Sequence, residues 1–138
     1  MSGLGERRGR IFLLGAGLFF LPLFAIPLFV DPYWWADVFG WDTTPETEVG
    51  HYFGRCLGAL AIALAVVSLQ GSRAPARYRA LFDVIVVATA LLAVAHLRGF
   101  IEDAQPTVED LEILGYSAVA ALAWWSKPSA RDPRISHP

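Results

Sequence analysis

The chain has 138 residues, 55% of them hydrophobic and 17% charged, with a net charge of −2 and a mean hydropathy of +0.45. A soluble domain carries about 25% charged residues, and nucleic-acid binding calls for a basic face; both are excluded here, and the length suits one domain. The single cysteine, Cys56, rules out an internal disulfide, and its apolar, small-residue setting predicts an inert buried thiol.

A bilayer core of about 30 Å needs roughly 20 apolar residues in a helix. Residues 11–30 contain no charge and form the first candidate span. Pro22 and Pro27 lie inside it, which transmembrane helices tolerate when neighbours satisfy the freed carbonyls; a kink is expected near Pro22 and an end between Pro27 and Pro32. The apolar run is longer than the core of a cleaved leader, and no A-x-A site follows, so it is expected to be retained.

Residues 31–50 form a long connection. Its aromatic first half, from Asp31 to Trp41, suits a short interfacial helix. The turn from Asp42 to Glu46 leads into a cap for the second span, where Glu46 and Glu48 favour the positive end of the helix. The second span covers 51–70 and the third 80–100, joined by a basic hairpin at 71–79 with breaker pairs Gly71-Ser72 and Ala74-Pro75. The fourth and shortest span covers 111–126, and 127–138 is a polar, proline-bearing tail expected to lack order. The fold class is therefore all-α: a single integral membrane four-helix bundle.

Orientation follows from charge. Arg7, Arg8 and Arg10 precede the first span, Arg73, Arg77 and Arg79 sit in the hairpin, and Lys127, Arg131 and Arg134 follow the fourth span. With four spans these segments share one side, which basic residues mark as cytoplasmic. Both termini are thus expected in the cytoplasm, with the chain in the plasma (inner) membrane. The other two loops hold ten of the thirteen acidic residues. Tyr33, Trp34, Trp35 and Trp41 suit an outer aromatic belt, and Trp124 and Trp125 an inner one; this placement needs no function.

Ionisable residues in spans are costly and so mark candidate sites. His51 and Arg55 share a helix face with Glu48, while His96 and Arg98 lie near the outer end of the third span beside Glu102. A polar cluster of Glu48, His51, Arg55, His96, Arg98 and Glu102 can converge in the outer leaflet. It has two readings: a site for an anionic headgroup, a quinone-like ligand, a proton or a metal, or an ion-paired clamp between spans two and three. Haem held between His51 and His96 is conceivable. No metal site is expected, because His51, His96 and Cys56 have no recognised ligand spacing. His137 lies in the tail and has no expected role. Asp83 is expected to form an ion pair at the cytoplasmic end with Arg77, Arg79 or Lys127, and no second buried carboxylate is expected to extend a proton relay.

Gly50, Gly54 and Gly58 form two overlapping G-x-x-x-G steps, a flat strip for close helix approach within the chain or with a partner. Catalytic motifs such as G-x-S-x-G, H-E-x-x-H and the P-loop are missing, so no catalytic residue is expected. The Gly54-Arg55…Gly58 step opening an alanine-rich helix resembles that of small bacterial four-helix membrane proteins, broadly DoxX-like, and the resemblance covers the layout of the whole chain. The first functional expectation is a non-catalytic accessory or structural subunit of a larger, energy-transducing membrane assembly, with membrane lipids and other membrane chains or copies of itself as partners. The second is a lipid, quinone or cofactor binder, or an enzyme, with an outer-leaflet site. The third is a homo-oligomeric small transporter.

Overall fold

The structure, a computed structural model, describes residues 2–129. The rest of the tail, with Arg131, Arg134 and His137, lies outside the described residues. Among them every regular element is helical: α1 (Ser2–Phe20), α2 (Ile26–Val30), α3 (Pro32–Val38), α4 (Glu48–Gly71), α5 (Arg79–Ile101) and α6 (Asp110–Ser126). Three stretches are long and apolar enough to cross a membrane: Gly3–Val30, Glu48–Gly71 and Arg79–Ile101. The 17 residues of α6 rise about 26 Å, slightly less than the bilayer core.

The first helix begins nine residues before the apolar run. Arg7, Arg8 and Arg10 continue its helical turns, and the Arg8 guanidinium lies 4.6 Å from the ring centre of Trp125. At Pro22 the chain widens into a π-turn, Leu21–Ala25. Proline has no N–H to donate and its ring collides with the carbonyl four residues back; one inserted residue relieves both, as π-bulges do. The helix then ends at Val30. Asp31 caps α3, its carboxylate accepting from the Trp34 N–H at 3.1 Å. The cap of α4 is Thr47, one residue past the expected turn; its hydroxyl accepts from the Gly50 N–H at 3.0 Å.

The helices pack as two pairs. α4 lies along α1, the π-turn, α2 and α3, and α5 lies along α6, with α1 also touching α6. The glycine strip serves the first pair. A Cβ on Gly50 would meet Tyr33, one on Gly54 would meet Pro32, and one on Gly58 would meet the backbone of Phe29. Because Gly54 and Gly58 turn that face of α4 to 29–33, Cys56 projects from the opposite flank. It is exposed, not buried as its apolar setting implied.

The core is small and lies toward the basic end. Leu13, Leu81, Phe82, Ile85 and Ala123 are buried there, with Phe12 stacked on Phe82 at 5.9 Å. The same end is closed by polar links: the Arg79 Nε–H donates to the Pro128 carbonyl at 3.0 Å, and Lys127 pairs with Asp83.

Candidate functional site

Between the two helix pairs lies a cavity of about 420 Å³. Its walls are almost wholly apolar: Phe19, Phe20 and Phe24 from the first helix, Leu64 and Ala65 from α4, Ile85 from α5, and Leu111 and Val119 from α6. The polar groups on its surface are few. Ser68 and Thr89 already donate to the Leu64 and Ile85 carbonyls, at 2.8 and 2.7 Å, so they offer only lone pairs. Glu112 and Tyr116 supply the rest. Gly115 sits in the wall, and a Cβ there would meet nothing within 4 Å.

Local sequence explains the aromatic lid at the acidic end. α3 stops where Gly40 takes φ +81°, a left-handed conformation that favours glycine. Before the reversal, Phe39 lies over Phe24 at 6.3 Å and Trp35 stands edge-on to it at 5.3 Å. The reversal carries Trp41 across to the start of α6, where its indole N–H donates to Glu109 Oε1 at 2.8 Å.

That contact opens a polar cluster. Glu109 ends the short 3₁₀ turn Thr107–Glu109 and is 6% exposed. Its other oxygen, Oε2, lies 3.2 Å from His96 Nδ1, and Glu112 Oε2 lies 3.6 Å from His96 Nε2. The first of these distances suits an ion pair, yet the atoms are out of line for a hydrogen bond, and buried Nδ1 has no hydrogen-bond partner. The imidazole packs against the Tyr116 ring at 5.3 Å, and the Tyr116 hydroxyl faces Glu112. Burial pushes the Glu109 carboxyl above the usual carboxylate range; the Trp41 N–H opposes this, the nearby Glu112 adds to it, and His96 offsets a little. Neither glutamate pairs with an arginine or lysine among the described residues.

One nitrogen of His96 and one oxygen from each glutamate lie within 4.8 Å of one another, a donor set able to hold a cation. Of the residues weighed as metal ligands from the sequence, His51, His96 and Cys56, only His96 belongs to this set. Histidine and cysteine spacing gave no warning of it, because two of the three donors are glutamates beyond a loop. Glu109 is a buried carboxylate that was not expected, whereas Asp83 is half-exposed.

The expected outer cluster does not form as one group. His51 Nε2 pairs with Glu46 at 3.1 Å and its ring meets Tyr33 edge-on at 4.5 Å. Arg98 donates to Glu102 at 2.8 Å on the exposed side of α5. Glu48 and Arg55 border an open hollow of about 480 Å³ with His51, Phe29 and Tyr52. The physical reason is the pairing of helices: α4 leans on α2 and α3, while α5 leans on α6. His51 and His96 therefore share neither partner nor cavity, and no clamp joins α4 to α5 through them.

Compared with protein-family models, curated proteins and solved structures, the chain has no significant match to any of them.

Proposed function

We propose that this chain is a multi-pass membrane protein that binds a lipophilic small molecule between its helix pairs. The observation that carries the reading is the cavity of about 420 Å³, within the roughly 300–1,000 Å³ of small-molecule sites and, like them, apolar with few polar groups. A ligand with an apolar body and one hydrogen-bonding head, such as a quinone, a quinol or a phenol, fits this division. Its body lies against Phe20, Phe24 and Leu64, and its head meets Glu112 and Tyr116.

In this reading α6 is a fourth span and both termini are cytoplasmic. Basic residues favour that side, and Arg8, Arg79 and Lys127 gather at one end of the bundle through Trp125, Pro128 and Asp83. The cavity head group then lies in the outer leaflet. The accessory-subunit alternative drew on the glycine strip, but Gly50, Gly54 and Gly58 are occupied by residues of the same chain.

The test is native mass spectrometry, with an absorption spectrum, of protein purified from its own membrane in mild detergent. A retained non-protein mass is expected. Recovery solely with other polypeptides, and no small molecule, returns the reading to a subunit of a larger assembly.

A further inference from the structure

We propose that His96, Glu109 and Glu112 bind a divalent transition-metal ion at the acidic end of the α5–α6 pair. Two carboxylates stand in a partly dehydrated cluster with one imidazole and no arginine or lysine partner among the described residues. Buried carboxylates need a compensating cation or a proton.

Geometry favours the cation. Two donors each about 2.1 Å from a tetrahedral ion stand about 3.4 Å apart; His96 Nδ1 lies 3.2 Å from Glu109 Oε2, and one nitrogen of His96 and one oxygen from each glutamate all lie within 4.8 Å of one another. The orphaned His96 Nδ1 is a second observation. It is buried without a hydrogen-bond partner and 3.2 Å from Glu109 Oε2, and an unsatisfied buried nitrogen is costly unless something binds it.

The surroundings suit a metal as well. The Trp41 indole holds Glu109 Oε1 at 2.8 Å, which leaves Oε2 to face His96. Such outer partners orient metal ligands. The donors are one nitrogen and two carboxylate oxygens, a set for zinc, manganese or iron(II) rather than for a soft thiolate-bound ion. Three protein ligands leave a position open, and Glu112 also lines the cavity. The inference rests on the cluster alone and stands whether or not the cavity holds a lipophile.

The experiment uses the full chain in detergent, stripped with a chelator and titrated with Co²⁺, whose visible band reports low-coordinate nitrogen–oxygen sites, with Zn²⁺ as competitor. One equivalent of Co²⁺ is expected to bind and to be displaced by Zn²⁺. Glu109→Gln, Glu112→Gln and His96→Gln should each weaken it about 100-fold or more, and Trp41→Phe about 10-fold. Glu46→Gln, at the other histidine, and Gly115→Leu, in the cavity wall, should leave it unchanged; the latter separates this test from that of the lipophile. If a glutamine variant fails to fold, the wild type still decides: it should hold one metal per chain after gel filtration and unfold at a higher temperature with Zn²⁺. No saturable Co²⁺ uptake by the wild type, or unchanged affinity in Glu109→Gln, overturns the proposal and leaves a cluster neutralised by protons.

Discussion

At the scale of single residues, like side chains behave differently because their settings differ. Glu109 and Asp42 are both carboxylates near the acidic end. Burial drives the first upward in pKa. Asp42 is exposed and accepts from the Thr44 hydroxyl at 2.6 Å and its N–H at 3.1 Å, which hold its carboxyl below the usual range. A depressed carboxylate stabilises the fold above its ordinary pKa and loses that contribution as pH falls through the depressed value. Carboxyl-carbon NMR should therefore show Asp42 titrating below a typical aspartate, and Thr44→Val should move it upward; an unmoved midpoint contradicts the assignment. Neither environment was legible in the chain. The Asp42-to-Glu46 turn was readable from its residue types, but the burial of Glu109 depends on Trp41, 68 positions away. Trp41 read as an interfacial anchor because aromatic belts need no partner.

At the scale of elements, the helices were legible and their partners were not. Apolar runs located α4, α5 and α6 to within a few residues, since hydropathy and breaker signals act locally. The early start of α1 was hidden because Arg7, Arg8 and Arg10 mark the end of an apolar run without ending a helix. Proline at 22 signalled a kink; the π-turn is the form that relief takes. The Gly50, Gly54 and Gly58 strip announced close approach without naming the partner, which proves to be 29–33. This yields a paired expectation. Gly58→Ala forces a Cβ into the Phe29 backbone and should cost about 1–3 kcal/mol. Gly15→Ala meets nothing within 4 Å on a helical site and should gain up to about 1 kcal/mol. Unfolding of both variants in mixed micelles measures the difference; equal stabilities contradict the packing of α2 on α4.

At the scale of the whole molecule, the helical character of the described residues was legible in the apolar runs, and three of the four expected spans are long and apolar enough to cross a membrane. The division into two helix pairs was not legible, because apolar faces in lipid carry little information about which neighbour they meet. Expecting His51 and His96 to converge assumed that α4 packs on α5; the cavity takes that place instead. The proposed four-span topology predicts labelling from opposite sides. In a Cys56→Ser background, Ala74→Cys should react with an impermeant maleimide only after the cytoplasmic side is opened, and Ala104→Cys in intact cells. Labelling of both from one side contradicts that topology.

The central claim is that the space between the pairs holds a lipophile, and Gly115 gives it a direct test. Leucine at 115 adds volume to the cavity wall where a Cβ has no neighbour within 4 Å, so the fold should survive, or gain stability, while the ligand is displaced. Native mass spectra and organic extracts of the wild type and of Gly115→Leu, purified side by side, make the comparison. The account predicts a small molecule retained by the wild type and lost from a folded variant. A folded variant that retains the same molecule, or a wild type that carries none, contradicts it.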